Sequence, residues 1–188
     1  MGSYSGIILA LPLDSTERFL KSVKDLMTAK IQKIVVFTLM VLHGSKLGSI
    51  EHKNKFDYLM SYRAFPRSCG MYRWGDTKYA ITEVDKVAIG NPTLSKEDYL
   101  FCRAFSLTVA LFYNDKILEA LHNFLKAQGV GIFDFIYHLH ARLEQAPLDL
   151  SEFYEELKVD IEAELFSSEE SLLKHFQENV DDYLNETV

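Results

Sequence analysis

Cysteines, histidines and a knot of arginines among aromatic residues are the side chains of this chain whose types and spacing could do chemistry. Cys69 lies in a loop-like stretch between Arg67 and Arg73, and two nearby guanidinium groups would lower a thiol pKa. Cys102 sits inside an apolar run and reads as an inert core thiol. His138 and His140 are two residues apart on an expected helix, about 200° around it, so they cannot share a metal ion there. His43 and His52 flank a turn without a matching cysteine or carboxylate pattern. Packed or solvated histidines are the expectation, and no metal site. Arg63, Arg67 and Arg73 alternate with Tyr62, Tyr72 and Trp74, a mixture that can hold an anionic or ring-bearing ligand by charge and stacking. The other reading of that cluster is a loop packed on the surface of the domain. The sequence contains no G-x-S-x-G, P-loop or G-x-G-x-x-G motif. No complete catalytic site is expected, and no catalytic residue is assigned.

The elements that must position these groups belong to a globular chain. The 188 residues are 48% hydrophobic and 13% aromatic, enough for one core or one core with a helical appendage. Two cysteines are too few for a disulfide framework and point to a reducing compartment. The first apolar run, Ile7 to Leu11, has no basic segment before it and ends at Pro12, unlike a secretory signal. Residues 99–113 are apolar but shorter than a spanning helix and contain Arg103. A cytoplasmic protein without membrane or nucleic-acid partners is the expectation, so the Asn185-Glu186-Thr187 sequon would have no role. Charge is uneven: residues 149–188 hold 13 acids and 2 bases, against 14 acids and 18 bases before them. The acidic tail argues against a grip on nucleic acid at that end. It reads as solvated acidic helices, or as an acidic docking surface.

Along the chain the pattern predicts an α+β protein. Residues 6–11 form a continuous apolar run, the pattern of a strand buried on both faces. Asp14, Ser15 or Thr16 can cap a helix carrying Phe19, Leu20, Val23, Leu26 and Met27. Residues 34–42 read as a second buried strand, and the spacing fits one βαβ crossover in a parallel sheet. Residues 49–94 read as a mixed connector, helical near 51–58 and extended over 79–89. From Ser95, paired with Asp98 in a capping box, the chain is expected to be helical, with one long helix from 97 to about 126. Later stripes run through Phe133, Ile136, Tyr137 and His140, then Phe153, Leu157, Ile161 and Leu165. Ser167 with Glu170 is expected to cap the last helix. Three segments follow: 1–48, 49–94 and 95–188. Two parallel strands under one helix would leave a bare sheet edge and an uncovered apolar face.

At that βαβ unit the motifs become specific. Ile7-Ile8-Leu9-Ala10-Leu11-Pro12-Leu13-Asp14-Ser15 resembles the late-barrel strand and turn of radical S-adenosylmethionine enzymes, commonly I-I-x-G-L-P-G-E-T. Leu39-Met40-Val41-Leu42-His43-Gly44-Ser45-Lys46-Leu47 is similar to their next strand, usually L-M-x-L-P-G-T-x-L. Tyr62-Arg63-Ala64-Phe65-Pro66-Arg67, Gly70-Met71-Tyr72, Ile81-Thr82-Glu83-Val84 and Thr93-Leu94-Ser95-Lys96-Glu97-Asp98-Tyr99 resemble a segment after the barrel in the subgroup with a cobalamin-binding domain. The likeness spans residues 4–115. Ala10 and Leu13 replace glycines of the pattern, Asp14 a glutamate and His43 a proline.

The resemblance implies a partial parallel (β/α) barrel segment, here one βαβ unit, followed by a mixed loop and strand segment and a mainly helical C-terminal region. It implies S-adenosylmethionine and a [4Fe–4S] cluster in the full protein, and cobalamin in that subgroup. None of these is expected to bind this chain alone, because the C-x3-C-x2-C cluster loop is absent. Ile8, Ala10, Leu39, Met40 and Leu42 would stand on the wall near the cofactor adenine, or serve only as sheet core. Arg63, Arg67 and Tyr72 would face the substrate. The implied partner is the missing N-terminal barrel portion, in cis or as a separate chain. A non-catalytic module that completes its sheet with a partner chain is the second reading.

Overall fold

Strand β1 (Tyr4–Leu9) opens the fold, helix α1 (Thr16–Thr28) crosses over, and β2 (Lys33–Met40) returns parallel to β1. The computed structural model describes residues 2–185, so the Asn185-Glu186-Thr187 sequon extends outside the described residues. Ser15 caps α1, its side chain accepting from the Arg18 amide, and Phe19, Val23 and Met27 form the buried stripe of that helix. The expected βαβ unit is therefore present. Its strands, however, are not buried on both faces: Tyr4, Gly6 and Ile8 are exposed on alternate positions while Leu9 is enclosed.

The sheet does not close into a barrel. Its order is β1-β2-β6-β3, where β3 is Leu59–Ala64 and β6 is Val84–Gly90. β6 runs antiparallel to β2 through Leu39 and Met40 and antiparallel to β3 along its length. Residues expected as a connector thus supply half of the strands of the main sheet. Between β2 and β3 lies the short helix α2 (Ile50–Phe56), capped by Ser49. The single strand expected over 79–89 is divided in two. Residues up to Ile81 pair back as a hairpin, β4 (Gly70–Trp74) with β5 (Thr77–Ile81), and β6 begins at Val84.

From Ser95 onward, apart from single bridges, the regular elements are helices. Helix α3 (Lys96–Phe112) starts at the Ser95–Asp98 capping box and packs on β2, β6 and α1. Its length is shorter than the pattern suggests. Asp115 and Lys116 adopt left-handed backbone at φ 57° and 59°, and the chain restarts as α4 (Glu119–Ala127). Helices α5 (Ile132–His140), α6 (Leu148–Ala163), α7 (Glu169–Glu178) and α8 (Val180–Leu184) follow. Ser168, paired with Ser171, caps α7 where Ser167 was the expected cap. One core joins the main sheet to α1, α3, α5 and α6, from Leu9, Phe19 and Leu39 through Val87 and Phe105 to Ile136 and Ile161. No helix among the described residues is long and apolar enough to cross a membrane.

The two outer edges of the sheet differ. Beside β3, Phe166 exchanges two backbone hydrogen bonds with Tyr62, at 2.9 and 2.8 Å. At the other end, no strand among the described residues pairs with the outer edge of β1.

Candidate functional site

The turn leaving β1 is the most constrained loop near the open edge. Ala10 and Leu13 hold φ 69° and 63°, the left-handed region that a Cβ disfavours. Asp14 stabilises the turn from inside, one carboxylate oxygen accepting from the Ala10 amide at 3.2 Å and the other from the Ser15 amide at 3.1 Å. The loop before α3 and the first turn of α3 clamp it from outside. The Asn91 amide donates to the Leu11 carbonyl at 3.0 Å, the Thr93 hydroxyl to the Asp14 carbonyl at 2.7 Å, and the Thr16 hydroxyl to Asp98 at 2.9 Å. Burial raises the Asp14 pKa, against the two amide bonds and Arg18, which pull it down. Beside the turn, a groove of about 610 Å³ runs along β1 and α1, with Ile7, Ile8, Leu11, Phe19 and Leu26 among its lining.

The residues expected at a cofactor wall divide between surface and core. Ile8 is 45% exposed and Leu42 62%, Met40 is half-buried, and Ala10 and Leu39 are enclosed in the core. Register explains part of the division. Ile8 stands beside Phe37 across the parallel pair, and both are exposed with Tyr4 on one apolar face. Leu39 shares that face by alternation but lies where β6 pairs with β2, beside Ala88, and is covered.

The arginine cluster separates more widely. Arg63 on β3 is opposite Asp85 on β6 in the strand register. Its Nε lies 3.6 Å from Asp85 Oδ2 and its Nη1 3.5 Å from Glu164. Arg103 on α3 reaches the same Glu164 at 3.4 Å, Thr38 Oγ1 at 3.0 Å and the Tyr99 hydroxyl at 2.9 Å. Arg63 is thereby committed to a network that ties the end of α6 to the sheet. Burial raises the Asp85 pKa, with Arg63 pulling it down. Arg67, with backbone φ 63°, lines a cleft of about 820 Å³ that also touches Cys69, Glu164, His175 and Tyr183. Tyr72 is out on the hairpin, 56% exposed, on the same face as Trp74 and its cross-strand neighbour Tyr79. The three residues expected to face one substrate therefore have three different settings.

The thiols are also apart in character. Cys102 is fully buried and its pKa is pushed up to about 12, chiefly by that burial. Cys69 is partly exposed and lies 3.1 Å from Thr82 Oγ1. His140 is buried and His138 exposed, as opposite sides of one helix require. Among the described residues, no group of three or more His, Cys, Asp or Glu side chains is placed to hold a metal ion. No family model matches this chain, and the comparison with curated proteins finds no match.

Sequence reasoning missed Asp85, Glu164, Thr38 and Arg103 as one polar network. Their positions are scattered over four elements, so no local spacing marks them. Asn91 had a local signal, an Asn-Pro step before a helix cap, that reads as turn chemistry.

Proposed function

We propose that this chain is the C-terminal part of a radical S-adenosylmethionine enzyme of the subgroup that also uses cobalamin, and that it is inactive by itself. The observation that carries the reading is the backbone at Ala10 and Leu13. These are the two places where the first family motif has glycine, and both adopt the left-handed conformation that glycine takes without strain. A likeness of spelling alone would not demand that coincidence. The bare outer edge of β1, with its apolar groove, supports the same reading, since a preceding strand and helix would cover both.

The residues present do not fit a [4Fe–4S] cluster. Such a cluster needs a set of thiolates, and the chain has two cysteines, one of them enclosed with its proton held to about pH 12. For the adenosyl part, Ile8 on β1 and Leu42 just after β2 offer exposed apolar surface, while Ala10 and Leu39 support from within the core. The uncovered edge equally favours the second reading, a non-catalytic module whose sheet is completed by a separate chain.

The mass of the native polypeptide, detected through its acidic tail, distinguishes the two. A product far above 21.6 kDa is expected for a piece of a larger enzyme, and a product near 21.6 kDa supports the partner-chain reading. Anaerobic reconstitution of the 188-residue chain should give no bound cluster; near-stoichiometric iron and sulfide would overturn the proposal of inactivity.

A further inference from the structure

We infer that the cleft between α3, α5 and α6 is a binding site for an organic cation, an alkyl- or arylammonium group. The cleft measures about 870 Å³, the size of a small-molecule site. Its apolar floor is built by Leu100, Phe101 and Ala104 of α3 and by Leu143 just after α5. Glu97, Glu144, Glu152 and Glu155 stand around it. The one lysine of the lining, Lys158, is already paired with Glu155 at 2.6 Å. The surroundings are thus strongly negative, and an anionic ligand is disfavoured.

The observation that points to a ligand is His140, which lines the cleft although only 9% exposed. Its Nδ1 lies 2.7 Å from Thr108 Oγ1, and the same hydroxyl lies 2.8 Å from the Tyr154 hydroxyl and 3.3 Å from the Ala104 carbonyl. A hydroxyl has one proton to give, and a carbonyl can only accept. All three contacts are satisfied together in one arrangement alone. Thr108 donates to Ala104, while the His140 Nδ1–H and the Tyr154 O–H donate to Thr108. His140 Nε2 is then a lone pair, with no hydrogen-bond donor to it among the described residues.

Burial lowers the His140 pKa to about 4, with Lys158 adding to the effect, so the lone pair persists at neutral pH. The ring itself is held edge-on against Phe101 and Phe105, at 5.2 Å from each centroid, and against Tyr154. A fixed acceptor, an apolar floor that includes the Phe101 ring and a carboxylate rim together ask for a positively charged N–H donor with an apolar body. This site lies in the helical region and does not depend on the barrel reading.

The probe is 2-phenylethylammonium, titrated into the ¹⁵N-labelled 188-residue chain, with 2-phenylethanol and 3-phenylpropionate as neutral and anionic counterparts. The ammonium should bind saturably with a dissociation constant on the order of millimolar or tighter, shifting the His140 Nε2 resonance and amides around the cleft. The alcohol should bind about fivefold more weakly and the carboxylate more weakly still. Glu144→Gln and Glu152→Gln, both exposed, should each weaken the ammonium about threefold without changing the rest of the spectrum. Equal binding of ammonium and alcohol, shifts confined to other surfaces, or an unchanged Nε2 resonance at saturation would overturn the inference.

Discussion

Leu13 and Ala10 share a strained backbone but not an environment, and the difference decides what glycine would do at each. Leu13 is 57% exposed, so Leu13→Gly relieves the left-handed strain while losing little burial. A gain of about 1 kcal/mol, partly offset by the greater freedom of glycine in the unfolded chain, is expected in urea denaturation. Ala10 has the same φ sign but is fully buried, and removing its methyl forfeits about 0.8 kcal/mol of packing. Ala10→Gly should therefore be close to neutral. A loss of stability in Leu13→Gly would mean that the turn is held by the leucine side chain, not merely tolerated. At this scale the sequence was readable mainly where the partner is near, although the α7 cap falls one residue later than its spacing suggested. The Ser95–Asp98 box and the Ser15 cap follow from local spacing. Arg63 could be singled out as chemically capable, but its partners Asp85 and Glu164 lie 22 and 101 positions away by residue number. No local pattern could show that its charge is already engaged.

Elements end where a tertiary contact overrides periodicity. The apolar pattern of 97–126 continues past Phe112, yet α3 stops there because Asn114 is used elsewhere. Its side chain accepts from the Ile34 amide at 2.9 Å and donates to the Ile34 carbonyl at 2.8 Å. One asparagine thus stands in for a strand along the part of β2 that β6 does not reach. Asn114 is 4% exposed, so its removal would leave both backbone groups of Ile34 without protein partners. Asn114→Ala should cost about 2–4 kcal/mol, read as a lower urea midpoint, with faster amide exchange at Ile34. An unchanged exchange rate at Ile34 would assign the stability loss to the turn after α3 instead. The same physics divided the expected strand over 79–89. Alternation persists through it, but residues 77–81 pair with β4 while 84–90 pair with β2 and β3. Period alone does not choose a partner.

For the molecule as a whole, the legible feature was a parallel pair with too little cover, and the illegible one was what covers half of it. β6 and β3, from the segment that reads as connector, and Phe166, from the segment that reads as helical, close the sheet on one side. On the other side no strand among the described residues pairs with the outer edge of β1, and Tyr4, Ile8 and Phe37 keep an apolar face beside it. Unpaired edge strands template association unless charge or a bulge interrupts them, and neither lies between Tyr4 and Leu9. The 188-residue chain should therefore self-associate, with apparent mass in light scattering falling on tenfold dilution (about 1.4 kcal/mol of chemical potential). Ile8→Lys places a charge on the exposed face, where the lysine stem can replace the covered part of the isoleucine and the unfolding midpoint should change little. It should shift the population toward monomer, whereas Lys substitution at Leu148, also apolar and still more exposed but distant in sequence on α6, should not. A wild-type chain that is monomeric at all concentrations would show that the β1 edge is solvated as it stands. That result would remove the common ground of both readings, since each requires something to be paired with β1.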